Sequence, residues 1–407
     1  MIRVAEMFAG VGGFRLGLEG YGKPGDAFYM PPAGDFKTVW ANQWEPPGTE
    51  RRQFAWRCYE SRFGAGSCVN EDIEAVLDAY EAGETEIPDF DMLVGGFPCQ
   101  DYSVSKPAPM AKGIEGKKGV LWWSIYRMVR LKEPKYVLLE NVDRLLKSPT
   151  ARRGRDFAIM LSCLAELGYS AEWMVVNAAD YGMPQRRRRV YIFAERLSEN
   201  DGLVLAKAFP FEFDDGVLSS FSIPSDPYEA SQTFGSTGKS PFKRYGVMSG
   251  LRVLTDDCEP TYEGPKTTLG DILVPDSSVP EQFFVSPESL ERWEYLKGAK
   301  KLPRTAKNGH EYVYSEGPVA FPDPTDRPSR TILTSEGGSG PSRMKTVIRG
   351  DSGRLRRLVP DELDALQCFP KGWTEGLSDN QRAFCMGNAL VTEIPHRIGL
   401  VIAELEA

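Results

Sequence analysis

Asp91-Met92-Leu93-Val94-Gly95-Gly96-Phe97-Pro98-Cys99-Gln100 is the stretch that most narrows what this chain can fold into. The apolar run reads as a short buried strand. Gly-Gly-Phe-Pro ends it, because proline has no backbone donor and glycine no side chain to pack. Strands that run apolar without alternation belong to parallel sheets covered on both faces, so the fold class is α/β. In an open sheet of that kind ligands gather at the carboxyl ends of the strands. Cys99 is therefore either an inert buried thiol or a thiol presented for chemistry.

The same unit of strand, turn and helix recurs on both sides. Ile2 to Phe8 alternates as a strand does, Ala9-Gly10-Val11-Gly12-Gly13 turns, and Phe14 to Glu19 has helical spacing. The glycines allow close approach of a ligand, but Arg15 occupies the third glycine position of a dinucleotide turn. That disfavours a nicotinamide oxidoreductase and leaves two readings, a structural loop or another cofactor site. Thr38 to Glu45 is the next strand, ending in Trp44, which is either a flat face for an adenine or a core side chain. Gln43 and Glu45 beside it are acceptors for ribose hydroxyls.

A helical stretch from Gln53 to Phe63 leads to Asn70-Glu71-Asp72-Ile73. Ser105 to Lys118, rich in Lys, Gly and Pro, has the composition of a loop able to act as a lid. Val120 to Lys132 is a helix with Leu121, Trp122, Ile125 and Val129 on its buried side, and Lys135 to Leu139 a buried strand. That strand delivers Glu140-Asn141-Val142, and a carboxylate at such a strand end is seldom needed for packing. After a helix (Asp156 to Leu167), a strand (Tyr169 to Asn177) and a turn through Gly182 and Pro184, Gln185-Arg186-Arg187-Arg188-Arg189 enters the strand Val190 to Phe193. Period two puts Arg187 and Arg189 on one face.

The texture changes near Glu195. To about Arg343 the sequence is rich in Gly, Pro and Ser, with short β-like runs such as Gly270-Asp271-Ile272-Leu273-Val274 and one clear helix from Pro287 to Lys300. A length of 407 residues favours two or three domains. This segment reads as a second, smaller, irregular and mostly β domain. Helical spacing returns from Leu358 to Leu366 and from Asn380 to Glu406, broken at Gly387-Asn388-Ala389-Leu390.

Composition excludes several chemistries. Only two histidines, His310 and His396, leave little for a serine hydrolase or a histidine metal centre. Seven cysteines without a Cys-x-x-Cys pair argue against zinc and against a disulfide framework, so no metal is expected and the thiols are reduced. No run of about 18 apolar residues marks a membrane span. The expectation is a cytoplasmic protein that meets no membrane. The net charge of −8 is not that of a nucleic-acid binder, but charge position matters more than its sum. Three basic clusters stand out, at Arg152 to Arg155, Arg186 to Arg189 and Arg343 to Arg357.

Taken together, five motifs in order resemble the cytosine-C5 DNA methyltransferases of the bacterial and phage restriction-modification type, over roughly residues 1–195 and 330–400. They are Phe8 to Phe14, Gly96-Phe97-Pro98-Cys99-Gln100, Glu140-Asn141-Val142, Gln185 to Arg189, and Gly387 to Leu390. The resemblance implies a Rossmann-like S-adenosylmethionine-dependent sheet (1–196 with 383–407) and a target-recognition domain (197–382). It implies that Cys99 adds to C6 of a flipped-out cytosine, with Glu140, Arg187 and Arg189 as its catalytic company. Phe8, Ala9, Gly10, Val11, Gly12, Gly13, Trp44, Asp72, Ile73, Pro98, Leu121, Asn388, Ala389 and Leu390 would surround S-adenosylmethionine. Gln100, Asn141, Gln185 and Thr331 would meet the substrate, double-stranded DNA, bound by a monomer.

Two places depart from the family pattern. Gln43 stands where an acidic residue holds the ribose, so either its amide oxygen serves or Glu45 has taken the task. The stretch from Tyr21 to Phe36 is longer than in the family. The competing expectations are a transfer-RNA cytosine-C5 methyltransferase and a catalytically dead DNA-binding relative.

Overall fold

The structure, a computed structural model, describes residues 1–26, 28–46, 53–97, 121–196, 203–214, 218–236, 238–305 and 309–407. The first half of the chain runs β1 (Ile2–Met7), α1 (Gly13–Glu19), β2 (Phe36–Asn42), α2 (Phe54–Phe63), α3 (Ile73–Glu81), β3 (Met92–Gly96), α4 (Trp122–Lys132), β4 (Tyr136–Val142), α5 (Arg155–Glu166) and β5 (Tyr169–Asn177). It continues with β6 (Gln185–Arg186), β7 (Arg188–Arg196), α6 (Val204–Ala208), β8 (Phe211–Phe213), β9 (Ser219–Ser222), α7 (Pro227–Thr233), β10 (Tyr245–Ser249), β11 (Arg252–Asp256) and β12 (Cys258–Pro260). The rest is α8 (Leu269–Ile272), α9 (Pro287–Lys297), β13 (Lys300–Thr305), β14 (Glu311–Glu316), β15 (Ser329–Arg330), β16 (Val347–Arg349), β17 (Leu355–Arg357), α10 (Pro360–Leu366), α11 (Asp379–Asn388) and α12 (Glu393–Leu405).

Two compact units emerge, one of residues 1–182, 187–264 and 390–407, the other of 183–186 and 265–389. The first is built on a nine-stranded sheet in the order β2-β1-β3-β4-β7-β5-β10-β11-β9. Strands β2, β1, β3 and β4 are parallel, and β7 turns antiparallel against both β4 and β5. Leu93, Val137, Leu139 and Ile192 are buried in the main core with residues of α4 and α5, as a sheet covered by helices requires. The long stretch after α1 folds back on itself through a Tyr21–Met30 bridge, and Arg62 of α2 stacks over its Phe28.

The boundary expected at 196/197 is not where the units divide. Residues 211–260 supply β10, β11 and β9, which extend the sheet antiparallel from β5. The alternation of strand and helix that marks a parallel sheet is absent from hairpin strands of four or five residues, so the composition alone read as irregular. At the join, Trp173 of β5 is fully buried among Phe157 and Phe242. A Cβ on Gly246 of β10 would sit 2.2 Å from its ring and 2.8 Å from the Leu254 carbonyl oxygen. Gly246→Ala is therefore expected to destabilise the first unit by about 2 kcal/mol or more, read as a lowered urea midpoint.

In the second unit the run from Gly270 to Val274, expected as β-like, begins as the helical turn α8. Thr268 caps it: its hydroxyl accepts from the Asp271 N–H, and the Asp271 carboxylate accepts from the Thr268 N–H. The rest consists of two-stranded ribbons, β13–β14, β15–β6 and β16–β17, among α9, α10 and α11.

Candidate active site

β1 ends in a turn with left-handed backbone at Phe8, Gly10 and Gly12, φ 56°, 56° and 86°. Phe8 stores strain there, whereas glycine adopts this conformation freely. A Cβ on Gly10 would meet nothing within 4 Å, so open space lies over the turn where a ligand can approach the backbone. On the other side, a Cβ on Gly12 would lie 2.4 Å from the Phe63 ring. The turn is held from below by Glu6, which no sequence pattern singled out. Its carboxyl accepts from the Phe14 N–H at 3.2 Å and from the Tyr59 hydroxyl at 3.1 Å. Arg15, at the third glycine position, is buried, pairs with Glu19 at 3.1 Å and stacks 4.2 Å from the Phe63 ring centroid.

Burial pushes the Glu6 carboxyl up from 4.5 to about 7, against the opposing pull of Tyr59 and Arg15. A folded pKa above the unfolded one makes its contribution to stability complete below about pH 4.5 and lost as the pH rises through 7. Glu6→Gln is expected to shrink the fall in stability across that window, measured as unfolding midpoints at about pH 5 and about pH 8. The fall will not vanish, because Glu172, buried against the Leu205 and Ala206 N–H groups, is also pushed up to about 7.

At the end of β2 the Ala9 N–H donates to the Asn42 carbonyl and the Gly10 N–H to Gln43 Oε1, at 3.0 and 2.7 Å. Trp44 is half-buried, and its indole Nε1 is buried without a hydrogen-bond partner among the described residues. Asp72 caps α3 by accepting from the Glu74 N–H at 3.0 Å, Ile73 is buried in the main core, and Leu121 packs against that core at the start of α4. The open face over Gly10, the aromatic Trp44 and nearby carboxylates fit a nucleoside carrying a sulfonium side chain.

At the centre of the sheet, β3 and β4 bring Gly96 opposite Glu140. Glu140 pairs with Arg189 of β7, Nε to Oε1 at 2.9 Å. Both side chains are largely shielded, at 12% and 19% exposure, so the pair is screened less than a surface bridge. A Cβ on Gly96 would come within 3.3 Å of the other Glu140 oxygen, so glycine leaves room for the carboxylate. Asn141 donates to the Phe97 carbonyl at 3.0 Å and so holds the residue that follows β3. Pro98, Cys99 and Gln100 lie outside the described residues.

Arg187 is fully buried, and burial, reinforced by the like charge of Arg189 and opposed by Glu140, lowers its pKa to about 9. It remains charged at neutral pH. Tyr191, opposite Glu140 in the ladder, is also fully buried, and burial with the Glu140 charge holds its hydroxyl neutral. Sequence reading passed over Tyr191, which looked like any aromatic in a strand.

The remaining expected residues fall in the second unit, except Leu390, which is buried in the first. Gln185 is completely buried there, donating to the Leu366 carbonyl at 3.0 Å and accepting from the Ile332 N–H at 3.0 Å. These bonds give it a structural task within that unit. Thr331 donates to the Arg186 carbonyl. Gln367 donates to the Ala389 carbonyl at 3.1 Å, fixing the turn that exposes Asn388. A Cβ on Gly387 would meet the Thr334 backbone nitrogen at 2.3 Å, which accounts for glycine at that point. Among the described residues no group of three His, Cys, Asp or Glu side chains is placed to hold a metal ion.

The family model for C-5 cytosine-specific DNA methylase matches residues 2–404. The chain is 44% identical to the type II methyltransferase M.Sau3AI of Staphylococcus aureus, over 100% of this chain and 96% of that one. It is 35% identical to M.HhaI of Haemophilus parahaemolyticus, over 52% of this chain and 54% of that one. Among solved structures, a Spodoptera frugiperda DNMT2 mutant superposes with a TM-score of 0.60 at 14% identity, covering 99% and 100% of the two chains. Dnmt2 of S. pombe superposes with a TM-score of 0.57, also at 14% identity and over 100% of both chains. At such identity these structures share the fold.

Proposed function

Because the chain belongs to the C-5 cytosine-specific DNA methylase family, we propose that its reaction is carried by Cys99 together with Glu140 of β4, Arg189 of β7 and Arg187 just before β7. The protein is a DNA (cytosine-5-)-methyltransferase of the restriction-modification type, with S-adenosylmethionine as cofactor. The family model matched over residues 2–404 is that of a DNA methylase, and the relative at 44% identity is a type II methyltransferase by name, so the transfer-RNA reading is set aside. The ion pair between Glu140 and Arg189, one strand from the Phe97 carbonyl that Asn141 holds, is the observation that carries the residue assignment.

Cytosine C5 is a poor nucleophile until a thiolate adds to C6. The Cys99 sulfur forms a bond to C6 and pushes the C5–C6 π electrons onto C5. Glu140 shares a proton with ring N3, which absorbs the negative charge that addition brings. Arg189 fixes the Glu140 carboxylate and offers its guanidinium to the C2 carbonyl, while Arg187 orients the carboxylate from the buried side. When bound, S-adenosylmethionine supplies an electrophilic methyl group. C5 then loses its proton to water, the S–C6 bond breaks and the thiolate returns.

Phe8 to Gly13, Trp44, Asp72, Ile73, Pro98, Leu121 and Asn388 to Leu390 would hold the cofactor. Gln100, Asn141 and Thr331 would meet the DNA, with Gln185 acting from within the second unit. That unit would read the target sequence in duplex DNA, with the protein acting as a cytoplasmic monomer. No helix among the described residues is long and apolar enough to cross a membrane. Conversion sequencing of plasmid DNA from cells expressing the protein should reveal one short sequence whose cytosine resists conversion. Unprotected DNA, with labelled methyl groups appearing on RNA alone, would overturn the assignment.

A further inference from the structure

Gln43 occupies the position expected to accept ribose hydroxyls, yet its amide is engaged at both ends. Its Oε1 accepts from the Gly10 N–H at 2.7 Å, and its Nε2 donates to Glu45 Oε1 at 3.3 Å. The orientation is chemically fixed: a backbone N–H faces only an acceptor, and a carboxylate only a donor. Gln43 is 7% exposed, and its side chain cannot swing out to a ligand without leaving the Gly10 N–H unsatisfied.

The backbone around it is equally determined. Asn70 donates to the Gln43 carbonyl at 2.7 Å. Gln53 accepts from the Glu45 N–H at 3.0 Å and donates to the Glu45 carbonyl at 2.8 Å. Asn70 also donates to Gln53 Oε1 at 2.9 Å, tying the two clamps together. Glu45 thus stands on a pinned backbone beyond the end of β2, partly exposed, next to Trp44 and linked through one amide to the open glycine turn.

We propose that Glu45 is the residue that takes the ribose hydroxyls of the cofactor, and that Gln43 is a positioning residue that aims it and makes no ribose contact. The proposal rests on the reading of the glycine turn as the S-adenosylmethionine site. Two vicinal hydroxyls match the two oxygens of one carboxylate, and charge-assisted bonds to them are stronger than bonds to a neutral amide. Each carboxylate oxygen accepts more than one hydrogen bond, so Oε1 can keep Gln43 while holding a hydroxyl.

The two roles for residue 43 predict opposite signs for one substitution. If Gln43 touched the ribose, Gln43→Glu would tighten binding by supplying a charged acceptor. If it aims Glu45, Gln43→Glu keeps the Gly10 bond, loses the donor to Glu45 and sets two carboxylates side by side, so binding weakens. Calorimetric titration of S-adenosylhomocysteine is the test. Glu45→Gln is expected to weaken binding about tenfold or more, and Gln43→Glu about three- to tenfold.

A 2′,3′-dideoxy analogue of S-adenosylhomocysteine should bind wild type and Glu45→Gln alike, the loss of hydroxyls and the loss of charge being non-additive. Melting of the ligand-free variants checks that both fold. Tighter or unchanged binding by Gln43→Glu, or wild-type affinity in Glu45→Gln, overturns the proposal while leaving the cofactor site in place. Wild-type protein that does not bind S-adenosylhomocysteine overturns the reading of the site itself.

Discussion

Cys99→Ala should abolish methyl transfer, lowering it by about 10⁴-fold or more, and should leave no covalent adduct with a duplex containing 5-fluorocytosine at the target. Wild type should form that adduct, because fluorine cannot leave C5 as a proton does and the S–C6 bond persists. The other six thiols are shielded from solvent. Cys58, Cys68, Cys163, Cys258 and Cys385 are buried and Cys368 is partly so. Burial pushes the thiols of Cys68 and Cys163 well up and that of Cys258 to about 11, which keeps all three neutral and poorly nucleophilic. A denaturing gel with labelled duplex decides the matter. An adduct formed by Cys99→Ala would remove the cysteine from the mechanism, and Cys258→Ala should retain full transfer.

Glu362→Ala is the change expected to destabilise the second unit most. Arg356 is fully buried there and grips Glu362 with two parallel bonds of 2.9 Å, while its Nε reaches Asp276 at 2.7 Å. Glu362 also accepts from the Val274 and Val359 N–H groups, both at 2.9 Å. Its removal leaves a buried guanidinium half-compensated and two backbone donors without acceptors, at a cost of about 3–5 kcal/mol. Hydrogen exchange of the backbone amides of β17 and α10 in urea reads this unit. A loss under about 1 kcal/mol would show that the cluster relaxes without strain.

The same cluster gives an acid limit. Burial opposes ionisation of Asp276, but bonds from Ser352 and Arg356 outweigh it and hold its pKa below the usual value. Its contribution is present above the ordinary carboxylate pKa and is lost as the pH falls through the lower folded value. By contrast Arg354→Ala, which breaks an exposed bridge to Glu281, should leave the midpoint unmoved.

What could be read from the sequence follows the physics of each element. Apolar runs such as Leu93 to Val94 and Val137 to Leu139 announce strands buried on both faces, and residues at their ends, Glu140 above all, mark the candidate site proposed above. Arg187 and Arg189 were readable because alternation fixes which face each takes. The three added strands were not, since β9, β10 and β11 are short hairpin strands in a Gly- and Ser-rich segment. Glu6 was invisible for another reason: a carboxylate in an alternating strand reads as a solvent-facing residue, and only the amide above it explains its burial. The bond that engages Gln43 depends on where the Gly10 N–H points, which spacing alone does not encode.

Gln185 and Arg186 belong to the second unit although they lie within a motif whose other residues belong to the first. They pair in parallel with Ser329 and Arg330 as β6 and β15, and Gln185 is locked by Ile332 and Leu366. On the proposed reading of the second unit as the recognition module, its exchange between relatives is not a single cut-and-paste operation. A transplanted 265–389 segment arrives without one of its own strands and must complete its ribbon with the two residues the recipient supplies. Glutamine at 185 acts as the shared connector: a foreign module will seat only if its counterparts of Ile332 and Leu366 present the same N–H and carbonyl to that amide.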